Sequence, residues 1–164
     1  MILGVVGTHH APMTRLVEAL DTYAATHTGE PVVIQAGPLA GSTRHAESVP
    51  FMDEGDLRRA SQRARIVVTH GGPSLLLQLI DADRVPIVMP REKRYREHVD
   101  DHQVDFASFL QRRQLVVVSR TELELLAALD QYELMTGSLR PNSLPAADPI
   151  RAGATLARIL QGNG

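Results

Sequence analysis

Three short runs in this chain combine residue types that can do chemistry with spacing that lets them do it together. The first is Thr69-His70-Gly71-Gly72-Pro73-Ser74. Its glycines let the backbone approach a ligand closely and adopt unusual torsions, and Pro73 suits the first turn of a helix. Backbone N–H groups from Ser74 onward would then face an incoming phosphate, with His70 and the Ser74 hydroxyl as side-chain donors. The plainer alternative is a tight strand-to-helix turn with no ligand.

The second run is Glu97-His98-Val99-Asp100-Asp101-His102-Gln103. On a helix, His98 and His102 at i and i+4 share a face, as zinc-binding histidines do. Val99 stands where the metalloprotease motif has its glutamate, so a third ligand would have to be Asp101 or something remote. No metal is therefore expected. Asp101, His102 and Gln103 read better as acceptors and donors for sugar hydroxyls, and Asp100 with Asp101 can equally be a capping pair on a solvated helix start. The third run is Gly7-Thr8-His9-His10, where Thr8 can touch a phosphate. His9 or His10 titrates near neutral pH and is a candidate general base, although such residues often only satisfy loop carbonyls. Phe51 and Met52 end an edge segment on which a flat heterocycle could rest, or they are simply core.

The elements that must position these runs are legible from periodicity. Apolar runs at 2–6, 32–34, 49–52, 66–68, 86–89 and 115–118 read as strands. Pro12 opens a helix carrying Leu16, Val17, Leu20, Tyr23 and Ala24 on one face. Asp53 reads as the N-cap of a second helix, with Glu54 and Asp56 suiting its dipole and Arg58, Arg59, Arg63 and Arg65 on a solvated face. Further helices are expected over 74–80 and 98–112, and Thr121 with Glu124 forms a capping box for another. Strands alternating with helices give an α/β class with a parallel, Rossmann-like sheet, and such a sheet binds ligands at the carboxyl ends of its strands. The domain is expected over 1–135. A linker rich in Pro, Ser, Asn and Gly follows over 136–149, then a helix over 150–164 that is a possible docking element for a partner.

Composition narrows the function classes. The 164 residues suit one domain with a proper core. A formal net charge of −2 argues against a nucleic-acid surface, although the arginines between 91 and 96 could meet phosphate or a partner. The absence of cysteine excludes disulfides and thiolate zinc sites and fits a reducing cytoplasm. No apolar run approaches the roughly 20 residues of a membrane span.

Read together, these blocks resemble the nucleotide-sugar-binding half of a family-28-type GT-B glycosyltransferase. More closely, they resemble the stand-alone subunits of split enzymes of exopolysaccharide synthesis or N-glycan GlcNAc transfer. G-T-H-H-A-P-M-T-R-L-V-E-A-L-D is similar to the family's opening block, and V-V-I-Q-A-G to its second strand. A-R-I-V-V-T-H-G-G-P-S, V-P-I-V-M-P-R and E-H-V-D-D-H-Q follow in the family's order. The resemblance implies a UDP-sugar donor and no further cofactor. It implies that His70, Gly71, Gly72 and Ser74 hold the pyrophosphate, with Gly7, Thr8 and His9 lining the phosphate side. Backbone groups of Phe51 and Met52 would meet uracil, and His102 and Gln103, with Asp101 beside them, the sugar. Two departures stand out: Ser74 replaces a glycine, and Gln78 replaces a glutamate that grips the ribose, keeping hydrogen bonding without the charge. The resemblance also implies a partner, either a membrane-associated acceptor-binding subunit or a second copy of this chain. The acceptor would be presented by that partner and lipid-linked. The alternatives are a non-catalytic nucleotide-sugar-binding subunit and an unrelated metal-dependent hydrolase using His98 and His102.

Overall fold

In the computed structural model, which describes residues 1–137 and Leu139, short β-branched runs alternate with amphipathic helices. The strands are β1 (Ile2–Val5), β2 (Val32–Gln35), β3 (Glu47–Val49), β4 (Ile66–Thr69), β5 (Ile87–Val88) and β6 (Val117–Val118). The helices are α1 (Thr14–Thr26), α2 (Glu54–Arg63), α3 (Pro73–Asp81), α4 (His102–Arg112), α5 (Glu122–Asp130) and α6 (Tyr132–Thr136). The strands pair in the order β3-β2-β1-β4-β5-β6, all in parallel. This is the doubly wound Rossmann order, whose direction of growth reverses between β1 and β4.

Alternation along the central strands explains why both faces are covered. On β1 and β4, Ile2, Ile66 and Val68 join a core cluster with Leu16, Leu20 and Tyr23 of α1 and Leu125 and Leu129 of α5. Leu3, Val5 and Val67 point the other way, toward Leu79 of α3 and the partly buried Leu57 and Ala60 of α2. Leu76 and Ile80 of α3 also meet Phe106 and Leu110 of α4 over Val88. A sheet buried on both faces needs near-continuous apolar strands, and these have them.

The caps read from sequence are present. Asp53 accepts from the Asp56 N–H at 2.7 Å, and Thr121 and Glu124 exchange side-chain and backbone hydrogen bonds as a capping box. Two boundaries differ from expectation. The third strand lies over Glu47–Val49, not 49–52, because Pro50 has no N–H with which to extend the ladder. Phe51 and Met52 therefore sit in the loop after β3, with Phe51 61% exposed. The fourth helix begins at His102, not at 98, so His98 and His102 do not share a helix face. Before it, the chain makes a 3-10 turn at Lys93–Tyr95 and a left-handed residue at Arg96 (φ 58°), and Glu97 then turns inward. Thr136, the expected start of the linker, closes α6 and donates its hydroxyl hydrogen to the Tyr132 carbonyl. The rest of the expected linker, apart from Gly137 and Leu139, and the expected last helix lie outside the described residues.

Candidate functional site

At the carboxyl ends of β1 and β4, where the sheet order reverses, two glycine turns face each other. Gly7 and Gly71 have φ values of +77° and +86°, a conformation that side-chain-bearing residues rarely take. Between the turns lies the His70 ring. A Cβ on Gly7 would stand 2.6 Å from His70 Cε1, and one on Gly72 would stand 2.5 Å from His70 Nε2. Both positions must therefore lack a side chain for the imidazole to fit.

The His70 ring is largely buried, and its pKa is lowered to about 4 by that burial, with the Arg91 guanidinium adding to the shift. It is neutral at pH 7. Its Nδ1 lies 3.3 Å from the Val5 carbonyl, which can only accept, so Nδ1 carries the proton and Nε2 is left as an acceptor. In this tautomer the neutral ring spaces the two glycine turns and turns its N–H to the Val5 carbonyl.

Around this point opens a cleft of about 540 Å³. It is lined by Gly7, Thr8, His70, Gly72 and Ser74 on the glycine-turn side, and by Phe51, Met52 and Gln78 on the other. Eight of the residues singled out in the sequence thus converge. Gly72 is the N-cap of α3 and supplies no side-chain hydrogen bond, and Pro73 has no N–H. The first intrahelical bond runs from the Leu76 N–H to the Gly72 carbonyl, at 3.3 Å. The N–H groups of Ser74 and Leu75 lie before that bond, at the positive end of the helix dipole. Sequence reasoning missed Gln35, whose Nε2 donates to the Gly7 carbonyl at 3.1 Å and fixes the first turn, and Glu54 and Leu57 of α2. A larger groove of about 700 Å³ runs between α2 and α3 and shares Glu54, Leu57, Leu75 and Gln78 with the cleft. It lies beside the helices, away from the Gly7 and Gly72 turns at the strand ends.

The other singled-out residues gather nearby. His9 and His10 stack with ring centres 4.3 Å apart, and His9 lies 5.1 Å from His98, which in turn lies 4.6 Å from His102. His9 Nδ1 accepts from the Ala11 N–H at 3.1 Å, which occupies the lone pair a general base needs. Burial, followed by Arg91 and the neighbouring imidazoles, holds its pKa below the usual histidine value. His10 is exposed. Gln103 is buried, packs against Gly71, and takes the Arg91 N–H on Oε1 at 3.2 Å. Asp100 accepts from the His102 N–H at 3.3 Å at the helix start, whereas Asp101, the N-cap of α4, makes no capping bond and accepts from the Lys93 N–H of the loop at 2.8 Å.

Beneath this cluster lies a polar strut that the sequence did not announce. Arg91 is fully buried, and its guanidinium donates to the carbonyls of Val6, Ala11 and Glu97. It ties together the segments that follow β1 and β5 and so is not available to a phosphate, whereas Arg94 and Arg96 of the same run stay exposed. Arg15 clasps the buried Glu97 carboxylate at 2.7 and 3.0 Å and also donates to the Pro90 and Arg120 carbonyls.

Comparison with known proteins agrees with this architecture. Residues 1–154 match the model of the glycosyltransferase family 28 C-terminal domain. The chain belongs to that family. Among solved structures it is similar to MurG of Acinetobacter baumannii, at 19% identity and a TM-score of 0.57, over 98% of this chain and 51% of that one. It is also similar to the calicheamicin glycosyltransferase CalG4 and to the kitacinnamycin glycosyltransferase, at 15% and 17% identity, each with a TM-score of 0.57 over 98% of this chain and 39% of the other. These likenesses identify the fold as one Rossmann-like half of a GT-B enzyme, and the chain spans about two fifths to one half of the structures it matches. Comparison with curated proteins gives no match. Among the described residues, no helix is long and apolar enough to cross a membrane.

Proposed function

We propose that this family 28 domain is the donor half of a hexosyltransferase: it binds a UDP-sugar at the β1/β4 reversal and presents the sugar to an acceptor held elsewhere. The carrying observation is the bare N-terminus of α3, set between the Gly7 and Gly72 turns at the mouth of the cleft. In this reading the pyrophosphate takes the Ser74 and Leu75 N–H groups and the Ser74 and Thr8 hydroxyls. Gly71 and Gly72 give it close approach. Phe51 and Met52 receive uracil through the backbone of their exposed loop, and Gln78 bonds the ribose hydroxyls. Asp101, His102 and the amide nitrogen of Gln103 face the sugar.

Transfer consists of attack by an acceptor hydroxyl on the anomeric carbon, loss of the hydroxyl proton to a base, and departure of UDP. The charge that develops on the leaving diphosphate is what the α3 N-terminus would stabilise. The donor is itself the substrate, so no further cofactor is invoked. The acceptor, in this reading lipid-linked and destined for a polysaccharide or glycoconjugate, comes on a facing domain. That domain is a membrane-associated partner at the cytoplasmic face, a second copy, or another part of a longer chain.

One observation favours a second reading, a nucleotide-sugar-binding subunit without its own base: His9 Nδ1 is engaged by the Ala11 N–H. Under it, the facing domain takes the acceptor's proton, whereas a self-sufficient enzyme would use His10. Titration with UDP and UDP-sugars tests both readings. Saturable binding with a rise in thermal midpoint supports the donor site, since a ligand at about 100 times its Kd adds roughly 2.7 kcal/mol of stability. No response to any uridine nucleotide contradicts it. Loss of transfer in His10→Ala, with UDP binding intact, would favour the self-sufficient enzyme over the base-less subunit.

A further inference from the structure

We infer that His98, Asp100 and His102 form a binding site for a divalent transition-metal ion of the zinc class. Their potential ligand atoms all lie within 4.8 Å of one another. His98 Nδ1 is 3.2 Å from Asp100 Oδ1, and His102 Nδ1 contacts the same oxygen. Tetrahedral zinc with bonds of about 2.0–2.1 Å separates its ligands by about 3.3 Å, which the His98–Asp100 spacing matches, while the His102 ring, closer to Asp100 than that, would draw back to admit the ion.

Hydrogen bonding leaves this cluster incomplete. Asp100 takes the His102 ring and backbone N–H groups, while His98 Nδ1 is buried and has no hydrogen-bond partner. An ion between the three groups would satisfy that buried nitrogen as well as the carboxylate. His9, with its ring centre 5.1 Å from that of His98, is a further imidazole for a fourth position. With Nδ1 accepting from the Ala11 N–H its Nε2 carries the proton, so His9 could ligate only by giving up that bond, and the three-residue set does not rely on it.

The ligand set selects the ion. Two imidazoles and one carboxylate suit Zn²⁺, Co²⁺ or Ni²⁺, whereas Mg²⁺ and Ca²⁺ prefer oxygen alone. The bound ion would pin residues 98–102 to the start of α4. None of the three residues lines the 540 Å³ cleft, but the ion would engage the His102 ring that the nucleotide-sugar reading sets against the sugar, so metal binding is measured without nucleotide.

The test is calorimetric titration of the chelator-treated protein with Zn²⁺, with Mg²⁺ as the control. A parallel Co²⁺ titration follows the visible bands of a low-symmetry nitrogen–oxygen site. One Zn²⁺ per chain is expected, with a raised thermal midpoint and no response to Mg²⁺. His98→Ala and Asp100→Asn should each weaken binding about tenfold or more. Asp100 is more than half exposed, so its variant keeps the fold even if that of His98 does not. The inference is overturned if Zn²⁺ does not bind saturably, or if it binds as tightly to the folded Asp100→Asn protein, which would place the ion on other histidines.

Discussion

At the scale of single residues, His70 and the two glycines that make room for it matter most. Gly72→Ala would put a methyl group 2.5 Å from His70 Nε2. The ring must move, so this substitution should both destabilise the fold and weaken UDP binding. A change at Gly72 therefore cannot separate binding from folding, whereas Ser74→Ala and Gln78→Ala, both at exposed positions, can. His70 also makes a prediction about acid. Its folded pKa of about 4 lies below the ordinary 6.5, so as pH falls the unfolded chain takes up the proton first. The stability it contributes is whole above pH 6.5 and declines toward pH 4, by about 3 kcal/mol in all. His9, shifted the same way, adds to this slope. Glu30, held at about 2 first of all by its hydrogen bonds from Arg65, loses its contribution in a lower window, from pH 4.5 toward 2. Urea unfolding between pH 7 and 4 should show the first decline in the native chain and a shallower one in His70→Gln.

At the scale of elements, the Arg15–Glu97 pair locks α1 to the loop that leads into α4. Both side chains are nearly buried, so removing one partner strands the other charge. Glu97→Ala should cost about 3–5 kcal/mol by urea unfolding, and the double replacement Arg15→Met, Glu97→Leu should recover most of it. This pair also shows what the sequence carried and what it did not. The alternation of β1 and β4, the Asp53 cap and the Thr121–Glu124 box are local signals, and each was legible. Arg15 reaches Glu97 across 82 positions and Arg91 reaches Val6 across 85, and no local pattern encodes such pairings. The same contacts explain the misplaced start of α4. The run from His98 reads as helical, but inward-turned Glu97 and the turn before it delay the helix to His102. The glycine turns could be read because their chemistry is written in consecutive residues. The histidine cluster could be read only in part, because a bend at Asp100, not a helix face, brings the rings together.

At the scale of the whole molecule, the matched glycosyltransferases are about two to two and a half times as long as this chain, and the cleft described here is open to solvent. A donor held here is wetted on one side, and the chain by itself is expected to bind UDP while transferring sugar slowly or not at all. Adding a facing, acceptor-binding domain should raise transfer far more than it raises UDP affinity, which steady-state assays with labelled UDP-sugar would show. The central claim, that the diphosphate sits on the N-terminus of α3 at the β1/β4 reversal, is tested most directly by following assigned backbone amide resonances during titration with UDP. The account predicts the largest shifts at Thr8, Gly72, Ser74 and Leu75, with smaller ones at Phe51 and Met52. Shifts confined to the groove between α2 and α3, at Arg58, Ser61 or Arg84, would contradict it, as would a spectrum that UDP leaves unchanged.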